Sequence, residues 1–183
     1  MIKMGQTVTD TDKLKIYTAM AETTRKWVSV MDTKARFLSA LNAGLLGFIW
    51  TGAKLIDASC WPKGLAMAAT GFSLVSLWVA LRVVLPRASL KHVFGRHATY
   101  VEGFKPISFY GFVADHYTKG EDGRFINEVK NLDDAALIDE ALEQHFTTSH
   151  IVQAKSKCVA IAGLFLKTAL LLTGVALFLK VLL

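Results

Sequence analysis

Residues 158–183 read CVAIAGLFLKTALLLTGVALFLKVLL, an apolar run broken only by Lys167 and Lys180. A bilayer core of about 30 Å takes around 20 apolar residues in helix, so this run is long enough to cross one. Two other stretches behave alike. Residues 37–53 (FLSALNAGLLGFIWTGA) hold 17 positions without a formal charge, and residues 64–81 (GLAMAATGFSLVSLWVAL) hold 18. The 183-residue chain is 52% hydrophobic and 20% charged, where soluble domains carry about 25% charged residues. In water, three such helices would find too little polar surface to cover them. The first run also starts too late, behind a charged segment, to be a cleaved leader. The sequence predicts an all-α integral membrane bundle with three transmembrane helices, at 35–56, 63–85 and 158–183, all kept in the mature protein.

Lysine and arginine counts orient the spans. Residues 1–36 carry seven, the loop between the first two spans only Lys54 and Lys63, and residues 82–110 five. Lys155 and Lys157 precede the third span. The N-terminus and the large middle segment are therefore expected on the cytoplasmic side, the short loop and C-terminus outside, with Trp50 and Trp61 at the outer interface.

The cytoplasmic part reads as helical throughout, as an N-terminal helix over 1–34 and a sensor region over 86–157. From 12 onward, Leu14, Tyr17, Met20, Trp27, Val30 and Met31 recur at roughly helical spacing, without Pro or Gly. One helix is expected to run from there through residue 53. Asp133 and Asp134 open a second uninterrupted pattern that continues through the third span to 183. Pro86 should end the second span. Short helices are expected over 109–117 and 124–130, with a turn at 119–123. Charge is segregated: 82–110 is net +4, and 111–157 is net −4 with nine acidic and five basic residues.

Signatures of chemistry are missing. There is no GxSxG, HExxH, Walker A loop or GxGxxG. His145 and His150 are five apart, which on a helix is poor spacing for a shared metal. Cys60 and Cys158 form no CxxC and imply no disulfide framework. No enzyme activity, metal or cofactor is expected. Two polar features inside the spans stand out instead. Asn42 needs a hydrogen-bond partner across helices if it lies in lipid, and Ala40, Ala43, Gly44 and Gly47 give the same span a small-residue face. Lys167 admits two readings: a side chain that snorkels to the inner interface, the span then beginning near Phe165, or a functional cation within the membrane.

At the entry to the first span the chain reads Met31-Asp32-Thr33-Lys34-Ala35-Arg36-Phe37-Leu38-Ser39-Ala40-Leu41-Asn42-Ala43-Gly44. This resembles the "D-x-K-A … L … N-x-G/A" entry of the Pycsar-type bacterial transmembrane effectors. Phe109-Tyr110-Gly111 resembles that family's aromatic–aromatic–Gly motif. Gln144, Ser149 and Lys155 resemble its "Q … S … K" pattern, and the likeness covers about residues 20–180. The resemblance implies a two-component antiphage system. A partner pyrimidine nucleotide cyclase makes cyclic UMP or cyclic CMP, and the effector responds by impairing the inner membrane, so the infected cell dies. The expected localisation is the bacterial cell inner membrane, multi-pass, with the lipid bilayer as partner and no nucleic acid; a homo-oligomer is expected because three helices alone cannot enclose a wide pore and the small-residue face of the first span invites self-association. The other reading is a constitutive structural or scaffolding membrane protein with a cytoplasmic docking module.

Such a ligand carries one negative charge and a flat base, so it wants cations with hydrogen-bonding reach and a plane to stack on. Residues 87–110 are dense in both, which makes Arg87, Lys91, Arg96, Tyr100, Lys105 and Tyr110 the ligand-binding candidates. Asp32, Lys34, Asn42, Phe109, Gly111, Gln144, Ser149 and Lys155 are the family-motif and gating candidates. An ion pair such as Asp32 with Lys155 is expected to hold a closed arrangement; alternatively these residues only anchor the helices at the headgroups.

Overall fold

A computed structural model describes residues 9–85, 113–114 and 116–182. The elements are α1 (Asp10–Gly47), a π-helical turn (Phe48–Gly52), a 3-10 turn (Leu55–Asp57), α2 (Cys60–Val84), α3 (Asp122–Lys130) and α4 (Asp134–Leu182). The described residues are all-α, without a strand.

Local chemistry explains the ends. Thr9 accepts from the Asp12 N–H at 3.3 Å and donates to the Asp12 carboxylate at 2.6 Å, so the start of α1 is capped. Asp133 caps α4 by accepting from the Ala136 N–H at 2.8 Å. Leu85 is extended at φ −62°, ψ 127°, as the residue before Pro86 should be, and α2 stops there. Gly120, at φ 104°, makes the turn before α3.

Two expectations shift. The first helix is not α-helical through residue 53. After Gly47 it widens, and the Ala53 N–H bonds five residues back to the Phe48 carbonyl at 2.8 Å. The Thr51 hydroxyl takes the Gly47 carbonyl at 2.6 Å, and glycines at 47 and 52 weaken the α-helical preference on either side. The helix expected over 124–130 begins two residues earlier, at Asp122. Of the helix expected over 109–117, residues 109–112 and 115 lie outside the described residues, and Tyr117 falls just beyond the helical turn.

The chain divides into two compact units, one drawn from Met1–Trp27 and Pro86–Ile151, the other from Val28–Leu85 and Val152–Leu183. α1 and α4 contribute residues to both. In the first unit the buried positions include Ala21, Thr24, Tyr117, Glu140 and Ala141.

The second unit is a three-helix bundle. On α1 its buried positions are Met31, Ala35, Asn42 and Leu45, with Ile49 in the π turn; on α2 they are Pro62, Ala66, Ala69, Ser73, Ser76, Ala80 and Val83. On α4 they are Ala162, Leu166, Ala169, Thr173 and Ala176. Steps of three and four residues keep one stripe of each helix inward, as in coiled coils. The stripes of α2 and α4 are mostly Ala, Ser and Thr, so the helices can approach closely. Met31, Leu45, Ile49, Leu55 and Leu166 fill the interior, but many of the largest apolar side chains point the other way: Phe37, Trp61, Met67, Trp78, Leu164 and Phe178 are each at least 58% exposed. A water-soluble bundle puts its large apolar residues inside. This one buries none of its Phe or Trp side chains.

Cys60–Val84 and Asp134–Leu182 are long and apolar enough to cross a membrane, and only 28% and 22% of their most apolar stretches are buried within the protein. The apolar residues of the first expected span are split between the end of α1 and the π turn, so α1, although 38 residues long, holds no stretch as apolar.

Candidate functional site

Within the bundle of the second unit, polar groups occur at three levels. At one end Lys155 of α4 donates to Asp32 Oδ1 of α1, both side chains about one-quarter exposed. At the other end Lys180 of α4 donates to the Ala53 carbonyl at 2.6 Å and reaches the Lys54 carbonyl at 3.4 Å, where the π turn leaves acceptors free. α1 and α4 therefore run parallel here. The 25 residues from Lys155 to Lys180 span about 37 Å.

The middle level is fully buried. Asn42 donates to the Leu38 carbonyl at 2.8 Å and to Ser76 Oγ at 2.8 Å, and accepts from Ser73 Oγ at 2.9 Å. Ser76 donates to the Ala162 carbonyl at 2.7 Å, so one network joins α1, α2 and α4. Every buried side-chain polar atom among the described residues has a partner. An amide left alone in an apolar core would be costly; here its hydrogen-bonding groups are used.

The first unit has its own polar contacts. Thr24 Oγ1 lies 2.8 Å from His145 Nδ1 and donates to the Met20 carbonyl at 3.0 Å. Arg25 donates to Gln144 Oε1, and Gln144 donates to Glu140 at 3.3 Å. Before and along α3, Tyr117 donates to Glu128 at 2.9 Å and packs edge-on against Phe125. Arg124 pairs with both Glu121 and Glu128. The Thr118 N–H and hydroxyl, with Arg124, hold the Glu121 carboxyl below the ordinary carboxylate range.

Of the residues singled out from the sequence, Asp32 and Lys155 are brought together, Asn42 is the hub of the buried network, and Gln144 bonds to Arg25. Lys34 is exposed, and Ser149 donates within its own helix to the His145 carbonyl at 2.7 Å. Arg87, Lys91, Arg96, Tyr100, Lys105, Phe109, Tyr110 and Gly111 lie outside the described residues. Sequence reasoning missed Ser73 and Ser76. Their signal was present, since both fall in the three-and-four phase of Ala66, Ala69 and Ala80. It also missed Thr24 and Arg25 as partners of His145 and Gln144. Polar pairs at both ends of a small-residue bundle, an interhelical amide network between them and large apolar residues outside define a small all-α protein of membrane-compatible build.

A model of the Pycsar effector protein domain, PycTM, matches residues 16–180, and the chain belongs to this family. It is a Pycsar antiphage effector, and membership implies a partner cyclase. No curated protein and no solved structure matches the chain.

Proposed function

We propose that the chain sits in the bacterial inner membrane with three spans and a cytoplasmic N-terminus, and responds to cyclic UMP or cyclic CMP from its partner cyclase. In response it impairs membrane integrity, and the infected cell dies before phage are released. The observation that carries this reading is the packing of the second unit: its interior is mostly Ala, Ser, Thr and Asn with a few aliphatic side chains, and none of its Phe or Trp side chains is buried. Lipid is the solvent that such a surface suits, and water is not. The first span combines the apolar end of α1 with the π turn, and Lys180 covers the carbonyls that follow it. Trp50 and Trp61, both exposed, then lie near the Lys180 end, and Trp78, stacked under Arg82 at 4.3 Å, lies towards the Lys155 end. Aromatic residues at both interfaces are usual for helical membrane proteins.

The effector works as a homo-oligomer, because three helices whose facing sides are already filled enclose no passage. Ala40, Ala43, Gly44 and Gly47 form an exposed small-residue face on α1 that the chain does not use for its own packing. The first unit senses the nucleotide, and α1 and α4, which contribute to both units, carry the response. Asp32 with Lys155 holds the resting arrangement. No catalysis and no metal or cofactor enter this scheme.

The test is membrane potential, followed by a voltage-sensitive dye in cells expressing the protein with and without a pyrimidine cyclase. Depolarisation only when the cyclase is active and the effector present is the expected result. Potential that holds while cyclic UMP and cyclic CMP both accumulate would contradict the reading.

A further inference from the structure

Lys167 is exposed on the outside of the three-helix bundle, and no polar group among the described residues partners it. It lies 12 residues beyond Lys155 and 13 before Lys180, about 18 and 20 Å from the two polar ends. A lysine side chain reaches only about a third of that distance, so snorkelling does not bring the ammonium to either level. Nor can the span begin at Phe165. Leu164 and Ile161, one and two turns before Lys167 on α4, are 64% and 46% exposed and in the resting bundle need the same apolar solvent as the residues after them. A cation in that position requires water or an anion.

A second copy cannot supply the anion from its spans. Residues 33–56 and 58–101 contain no Asp or Glu, and neither do residues 144–183. Copies of the chain meeting at this face would confront one ammonium with another, which tolerates only an arrangement with water and mobile anions between them. The rest of the face is mixed: Leu164, Leu170 and Leu171, three and four residues from Lys167, are at least 52% exposed and face lipid at rest, and small residues lie among them. Ala160 and Gly174 stand seven residues to either side of Lys167, and a Cβ added at Gly174 or Gly163 would meet nothing within 4 Å.

We propose that the Lys167 face of α4 lines the water-filled path of the activated oligomer, where a ring of Lys167 ammonium groups, one from each copy, makes the path prefer anions. Rings of lysine or arginine give pores that preference by concentrating counter-ions at the constriction. The inference rests on the oligomeric membrane-impairing reading above.

The experiment reconstitutes the full chain in planar bilayers under a potassium chloride gradient, with cyclic UMP or cyclic CMP on both sides. Wild type should show a chloride-to-potassium permeability ratio above one. Lys167→Gln should bring the ratio towards one and Lys167→Glu should take it below one, while Lys180→Gln leaves it as in wild type. In a Cys60→Ser, Cys158→Ser background, Lys167→Cys should react with a charged, membrane-impermeant thiol reagent only when nucleotide is present, and Leu74→Cys, exposed on α2, should not. Conductance whose ion preference is indifferent to Lys167→Glu, or a Lys167→Cys that stays unreactive while current flows, overturns this inference and leaves the membrane-impairing reading standing. Wild-type protein that conducts nothing with either nucleotide overturns both.

Discussion

Asn42 occupies a core position in α1, and its worth depends on partners 31 and 34 residues away. Interhelical hydrogen bonds in membranes contribute about 0.6 kcal/mol on average and up to about 1.7. Asn42→Ala and Ser76→Ala should each lower thermal stability in detergent, and a double-mutant cycle should return a coupling of about 1 kcal/mol. Additive losses would mean the two side chains do not act together. The need for a partner at Asn42 was legible in the sequence, because an amide in an apolar run has no other stable option. The identity of that partner was not, since it depends on the register of α2 against α1. Asp32 and Lys155 show the opposite balance: their pairing was foreseeable from charge at two helix–membrane junctions. A partly wet pair is worth about 1 kcal/mol per subunit, which counts if subunits switch together. Asp32→Lys should either kill cells without a cyclase or abolish the response, and adding Lys155→Asp should restore regulated killing. A double variant no better than the single one would leave the pair as an anchor only.

At the scale of elements, the face of α1 bearing Gly44 and Gly47 is open to solvent or lipid, and a Cβ at either position meets nothing within 4 Å. Gly44→Leu should therefore leave the fold intact, even favouring the helix by up to about 1 kcal/mol, while impairing killing by crowding the contact between copies. Unaltered killing by Gly44→Leu and Gly47→Leu would remove this face from assembly. The turn entering α3 carries a pH dependence. Glu121 is held below its ordinary carboxyl range by Thr118 and Arg124, so its contribution is complete above the unfolded value near 4.5 and is lost as pH falls through the lower folded value. Amide exchange at Thr118, measured against that in Glu121→Gln, should lose its extra protection below that range; protection that holds steady to strongly acid pH would contradict this. Most helix ends could be read from Thr9, Asp133 and Pro86. The π turn could not, because the choice between bonds four and five residues back turns on how Ile49 seats in the core beside residues of α2 and α4, which no local pattern encodes.

For the whole molecule, the family assignment makes the chain a Pycsar effector, and the proposed function gives sensing to the first unit and lipid contact to the second. The ligand-binding candidates Arg87, Lys91, Arg96, Tyr100, Lys105 and Tyr110 were selected by charge and aromatic density alone, which fixes a region but no geometry. Orientation rests on lysine and arginine counts. A reporter active only in the cytoplasm and fused after Leu183 should stay silent; activity there would reverse the topology or change the number of spans. In the proposed function a cyclic pyrimidine nucleotide converts a sealed bundle into a membrane lesion. Purified protein in liposomes holding a potassium diffusion potential tests this most directly, with no other cell component present. The potential should hold with protein alone and collapse on addition of cyclic UMP or cyclic CMP, but not of cyclic AMP. A potential that survives both pyrimidine nucleotides, or that collapses equally without any nucleotide, would contradict the account.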